Sequence, residues 1–245
     1  MLKKSSWIAG LGLVCAAGFA TWYSFGWQTN KHNPDALWHI VHERCANGAK
    51  PCTIYDAAHG FALLHSIEGR GQYLLIPTKK VPGIESADLL GPDAPNYFAQ
   101  AWSFREYVSR SYGVSVPDRE LSLAINSVSG RTQNQLHIHL DCLKPEVRRE
   151  LDAMAGNFRP SWVDLPIRLE GHAYRGLYLS DLGRSPFQIL AAEIAQPQMH
   201  MRDHTLVVAP LGTGFALLDD TAHGLDRASG EELQDHSCRD YVKPV

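Results

Sequence analysis

Eight consecutive residues, Gln135-Leu136-His137-Ile138-His139-Leu140-Asp141-Cys142, alternate polar and apolar without a break. Side chains alternate across a strand with period two, so the stretch predicts a β-strand. Leu136, Ile138, Leu140 and Cys142 form a core-facing side. Gln135, His137, His139 and Asp141 form the other, with the two imidazoles about 6.6 Å apart along the chain at the usual rise. Four polar groups in a row make a site, a solvated ribbon or an accident. As a site they offer a nitrogen nucleophile or, through His137, His139 and Asp141, ligands suited to a divalent metal.

The segment just upstream bears on that choice. Residues 127–134 include Ser127, Ser129, Gly130, Arg131, Thr132, Gln133 and Asn134. Such a turn can donate several hydrogen bonds to an anion. An anion cradle beside a histidine pair is the equipment for phosphoryl transfer to nitrogen. Lys79 and Lys80 read as a solvated strand end, although they could reach a phosphate. His172, His200 and His204 could approach from the second half but read individually as ordinary residues. Gly212-Thr213-Gly214 is a turn before a strand, because no lysine and helix follow as in a phosphate-binding loop.

The N-terminus stands apart from the rest. Met1-Leu2-Lys3-Lys4 is followed by no charged residue until Lys31, and 7–27 is mostly apolar. About 20 such residues can cross a bilayer as a helix. The lysines predict that the short N-terminal end is cytoplasmic. Residues 1–30 therefore read as an uncleaved anchor, a cleaved signal peptide being the alternative. Residues 31–245 then form one exported domain. With net charge −3, the chain carries no basic field to attract nucleic acid.

Outside the anchor lie Cys45, Cys52, Cys142 and Cys238. In an exported domain they suggest two disulfides, and four cysteines allow three pairings. The expected pairing is Cys45–Cys52 with Cys142–Cys238; reduced thiols or a zinc site are the alternatives, and no CxxC spacing supports zinc. Helices are predicted over 35–44, 96–112, 144–155 and near 185–195. Strands are predicted at 61–65, 72–76, 121–126 and 135–142, and near 172–179, 204–209 and 214–218. This pattern predicts an α+β fold with a mainly antiparallel sheet. Gly-Phe-Ala-Leu-Leu occurs at 60–64 and again at 214–218, by chance or from an old duplication.

Asn126, Ser129-Gly130, Thr132 and then Gln-x-His-x-His together resemble the histidine-triad superfamily of nucleotide hydrolases and transferases, which carries His-x-His-x-His. Gly71-Gln72-Tyr73-Leu74-Leu75-Ile76-Pro77 resembles that superfamily's Gly-His and apolar run ending in Ile-Pro. With the anchor and Asn134-Gln135-Leu136-His137-Ile138-His139-Leu140-Asp141-Cys142, the pattern looks closest to the bacterial CDP-diacylglycerol pyrophosphatase branch. The resemblance covers most of the chain and is weakest after about residue 160. It implies a histidine-triad-like antiparallel sheet with flanking helices. It makes His137 the nucleophile and puts His139 against the phosphate and bridging oxygen. Gln135 replaces the first histidine. Gly130 and Thr132 fall at phosphate-binding positions, Asn126 matches an upstream asparagine at shorter spacing, and Asn134 and Gln135 join them on the substrate side. Asp141 stands where the superfamily has an apolar residue.

The activity so implied is hydrolysis of CDP-diacylglycerol to CMP and phosphatidate through a nucleotidyl-histidine, with no cofactor or metal. The lipid substrate and the bacterial inner membrane are the implied partners, with the domain on the periplasmic side. A metal-dependent phosphoesterase using His137, His139 and Asp141, a cytidylyl transferase to an alcohol, and a non-catalytic anchored binding module are the competing readings.

Overall fold

A computed structural model describes residues 33–242. Ten strands join in one antiparallel sheet, as the predicted α+β class requires. They are β1 (Cys52–Asp56), β2 (Phe61–His65), β3 (Tyr73–Pro77), β4 (Leu121–Ile125), β5 (Ile138–Leu143), β6 (Val163–Asp164), β7 (Arg175–Leu179), β8 (His204–Leu211), β9 (Gly214–Thr221) and β10 (Gln234–Asp235). Their order across the sheet is β1-β2-β3-β5-β4-β8-β9-β7-β6, and β10 pairs with β5. The helices are α1 (Ala36–His39, continued by a wider turn over Ile40–Arg44), α2 (Tyr97–Ser103), α3 (Glu106–Tyr112), α4 (Pro145–Ala153), α5 (Pro186–Ala191) and α6 (Pro197–His200).

Local sequence accounts for most of these elements. The β8–β9 hairpin closes on Gly212-Thr213, where Gly212 has φ +59°, a value costly for a residue with a Cβ. Pro145 starts α4, where its missing N–H would have no helical partner anyway. The single helix expected over 96–112 is broken in two. Phe104 closes α2 with a tighter bond from its N–H to Ala101, and its ring packs against Phe61 at 5.5 Å and Tyr107 at 6.1 Å. Gly113, at φ +69°, ends α3 as expected. The repeated pentapeptide falls on β2 and β9, second and seventh along the sheet, which are not equivalent places about its centre.

The predicted strand 135–142 pairs only from Ile138 onward. Before that point the Gln135 side chain takes over from the ladder. Its Nε2 donates to the carbonyls of Pro77 (3.0 Å) and Lys79 (2.8 Å), and its Oε1 accepts the Val81 N–H (3.2 Å). The polar face is also not open: Gln135, His137, His139 and Asp141 are all buried.

The architecture explains that burial. One sheet face, including Phe61, Leu63, Leu75, Leu123, Ile138 and Leu140, packs under α2, α3 and α5 around Phe98 and Phe187. The opposite face carries two separate apolar clusters. Ala62, Leu64, Leu74 and Ile76 pack on Val41, whereas Ala124, Val207, Ala209 and Leu218 pack on Val147 and Leu151 of α4. Directly paired residues share a face. His139 pairs with Leu74 on one side and Ala124 on the other, so the polar row of β5 lies in a trough between the clusters.

Cys45–Cys52 and Cys142–Cys238 are disulfides, the expected pairing. No helix among the described residues is long and apolar enough to cross a membrane. The expected anchor, 7–27, lies outside the described residues.

Loop-closure entropy ranks the two crosslinks. The Cys142–Cys238 bond spans 96 residues and the Cys45–Cys52 bond spans 7. Replacing Cys142 and Cys238 together by Ser is expected to cost about 4.7 kcal/mol, against about 2.4 kcal/mol for the shorter bridge. Urea unfolding of both double variants checks the order.

Candidate active site

His137 sits where the turn 127–134 runs into β5. Its Nδ1 is 2.7 Å from the Gln135 carbonyl oxygen, which can only accept, so Nδ1 carries the proton and the lone pair is on Nε2. The Gln135 contact is the one hydrogen bond the ring makes among the described residues, which leaves Nε2 without a partner there. Burial, followed by the neighbouring His139, pushes the ring's pKa down to about 4, although the Gln135 bond and Glu231 pull the other way. At neutral pH the ring is therefore uncharged with a free lone pair, the form an attacking nitrogen requires.

The His139 ring lies 4.8 Å from that of His137 at an interplanar angle of 61°. Its Nδ1 is 3.0 Å from Glu231 Oε1, at an angle that makes an ion-pair contact rather than a directed hydrogen bond. Burial would raise the Glu231 carboxyl, but His139, Gln72 and Asn126 together hold it well below the ordinary carboxylate range. Gln72 Nε2 donates to Oε1 at 3.2 Å and Asn126 Nδ2 to Oε2 at 3.1 Å. Asn126 Oδ1 in turn accepts the Glu231 backbone N–H (3.1 Å) and the Ser229 hydroxyl (3.2 Å). Asn126 thus grips both ends of Glu231.

Asp141 continues the same row. It is fully buried, and its Oδ2 is 2.7 Å from His236 Nδ1. That bond raises the His236 pKa above its ordinary range. His236 Nε2 lies 3.5 Å from Glu231 Oε1. Asp141, His236, Glu231 and His139 therefore form a line of alternating carboxylates and imidazoles. Asp141 Oδ1 accepts the Cys142 N–H at 2.8 Å, so both oxygens are engaged away from His137 and His139. The ligand atoms of His137, His139 and Asp141 do not all come within 4.8 Å of one another.

The remaining predicted residues divide. Asn126 reaches the site through Glu231. Gln135, expected on the substrate side, spends every side-chain hydrogen-bonding atom on the backbone of 77–81 and acts as a strut. Gly130 permits a close approach, since a Cβ there would lie 3.0 Å from the Ala228 carbonyl oxygen and 3.1 Å from that of Arg227. Its N–H donates to Ser127 Oγ at 3.1 Å. Arg131 is committed to Glu85 through two bonds of 2.7 Å, and Gln133 holds Asn33 and Leu37. Asn134 is exposed and accepts from Arg131 at 3.3 Å. Thr132 is exposed and makes no hydrogen bond among the described residues, so its hydroxyl remains available. Lys80 pairs with Asp35 at 3.2 Å and His204 with Asp219 at 2.8 Å; His200 is exposed. Glu231, His236 and Gln72 are the site residues that sequence reasoning missed. The Cys142–Cys238 pairing was the signal that could have found the first two, because it brings the chain's end to β5.

The profile of the family described as CDP-diacylglycerol pyrophosphatase matches residues 32–241. A protein of Yersinia pestis named CDP-diacylglycerol pyrophosphatase is 43% identical over 219 residues, spanning 84% of this chain and 85% of its own. The chain belongs to the CDP-diacylglycerol pyrophosphatase family. The family match runs well past residue 160, where the sequence resemblance weakens, and takes in Glu231 and His236. The C-terminal segment that completes the trough is thus within the family's own extent.

Two outcomes test this geometry. The unfolded chain binds the His137 proton near pH 6.5 and the folded chain near 4. Stability from this group is therefore intact above about pH 6.5 and drains away as pH falls towards 4. An NMR titration of the His137 ring is expected to give that low midpoint; a midpoint above 6 contradicts it. Glu231→Gln is expected to lower kcat by roughly 10²-fold with little change in KM and to shift the pH profile of kcat. An unchanged kcat and pH profile in a folded variant removes Glu231 from the site.

Proposed function

We propose that this family member cleaves the pyrophosphate of CDP-diacylglycerol in two displacements through His137. The observation that carries the mechanism is the uncharged His137 ring, with Nδ1 tied to Gln135 and Nε2 unpartnered beside His139. In the first step Nε2 attacks the cytidine-side phosphorus. A P–N bond forms, the bond to the bridging oxygen breaks, and phosphatidate leaves. In the second step water attacks the same phosphorus, the P–N bond breaks, and CMP leaves with His137 restored.

His139 is placed to give a proton or hydrogen bond to the departing oxygen and to take a proton from the incoming water. The Glu231 carboxylate lies 3.0 Å from the Nδ1 of that ring. The Thr132 hydroxyl and neighbouring backbone N–H groups are suited to the phosphate oxygens as charge builds on them. We further read the sheet as histidine-triad-like, because Gln-x-His-x-His enters β5 directly after a Ser/Gly/Thr turn.

The substrate is a lipid, and 1–30 supplies an anchor to hold the domain at the inner-membrane surface. Two disulfides support a periplasmic domain, since such bonds persist in oxidising compartments.

The test uses CDP-diacylglycerol labelled in its cytidine-side phosphate. Rapid acid-free quenching is expected to trap labelled protein whose label is released by acid and by hydroxylamine. His137→Ala is expected to lose the label and to slow turnover by roughly 10⁴-fold or more. Turnover near the unsubstituted rate in that variant would falsify the nucleophile assignment.

A further inference from the structure

A second cluster of ionisable side chains lies on the other side of the 226–232 segment, and hydrolysis has no use for it. His172 lies just ahead of β7, Asp220 is in β9, and Asp226 is in the loop after β9. His172 Nδ1 is 2.5 Å from Asp226 Oδ2 and 3.9 Å from Asp220 Oδ2. One ligand atom from each residue lies within 4.8 Å of the others. Asp220 is only 3% exposed. Its Oδ1 accepts the Thr221 N–H at 2.8 Å, but its Oδ2 is buried, faces His172 and has no hydrogen-bond partner. Such an oxygen is costly unless something meets it.

The charges around it do not balance. Glu232 Oε2 lies 3.3 Å from His172 Nε2, so three carboxylates converge on one imidazole. Among the described residues no lysine or arginine pairs with any of the three.

We propose that His172, Asp220 and Asp226 form a binding site for a divalent cation of the zinc or manganese type, separate from the catalytic histidines. One imidazole nitrogen and two carboxylate oxygens suit such an ion, with water completing the shell. The cation takes the place of the proton between Nδ1 and Asp226. Tetrahedral zinc, with bonds of about 2.0–2.1 Å, sets ligand atoms roughly 3.3 Å apart. Asp226 draws back and Asp220 draws in by less than roughly an ångström each to reach that spacing. Glu232 then sits on the far ring nitrogen, where a carboxylate commonly orients a metal-bound histidine. Glu232 is itself held by the Tyr174 hydroxyl at 3.0 Å.

The site lies at the base of the segment that builds the trough. The carbonyls of Arg227 and Ala228 accept from Ser127, the Ser229 hydroxyl reaches Asn126, and Glu231 faces His139. A cation there fixes this segment without touching the reacting phosphorus.

Full-length protein in detergent, stripped with chelator and dialysed, is titrated calorimetrically with Zn²⁺ and, separately, with Mn²⁺. At least one metal is expected to bind saturably at one equivalent and to raise the unfolding temperature by about 5 °C. Asp220→Asn and His172→Ala are expected to lose that equivalent, and His137→Ala to keep it. Anomalous scattering from metal-soaked crystals is expected to peak between His172 and Asp220, a readout that does not depend on whether the variants fold. No saturable binding of either metal, binding undiminished in both cluster variants, or an equivalent lost in His137→Ala overturns the proposal and leaves an ion-paired cluster.

Discussion

The Cys142–Cys238 bond fastens the C-terminal segment to a strand at the middle of the sheet, and the polar trough that holds His137 and His139 depends on it. The bond does not act alone. Asp141, one residue before Cys142, pairs with His236, two residues before Cys238. Gln234 Nε2 adds bonds to Ser122 and to the His139 carbonyl from within the same short segment. A covalent tie, a buried ion pair and buried amide bonds thus converge over a few residues. Their common effect is to deliver Glu231 to His139.

Gathering three imidazoles and two carboxylates in one trough is unfavourable unless the charges are ordered. Here the order is spatial. His137, desolvated by burial, stays neutral at neutral pH, while carboxylates and imidazoles alternate along the line from Asp141 through His236 and Glu231 to His139. The two histidines are chemically alike in sequence but differ in role because only one faces a carboxylate. Apolar clusters on both sides of the trough exclude water and so strengthen each of these interactions.

Much of this was legible in the sequence wherever information was local. The alternation over 135–142 marked the strand and the polar row, and β2 and β3 followed from apolar runs around a glycine-rich turn. The cysteine count allowed the correct pairing. Where the reading failed, the cause was contact at long range. The turn 127–134 reads as an anion cradle, yet Arg131 and Gln133 are spent on Glu85 and on 33–37, partners far away in sequence. The helix over 96–112 breaks because Phe104 is drawn towards Phe61. Glu231 lies in a polar tail with no periodicity, so nothing local sets it apart from Glu232 beside it. Asp141 looked out of place because its partner, His236, is 95 residues on.

The late start of β5 has a consequence for the tautomer of His137. Extending the register with β3 and β4 would put Thr78 and Val128 opposite Gln135. The one on the side its backbone faces could have claimed the Gln135 carbonyl through its own N–H. Instead the Thr78 N–H goes to Gly60 and the Val128 N–H to Arg202. Pro77, which would face Leu136 in that register, has no N–H to give. The carbonyl is therefore unclaimed by the sheet and free to hold a proton on the near side of the ring. A strand begun three residues earlier would have consumed that acceptor, and the choice of which nitrogen keeps its lone pair would have been lost to pairing.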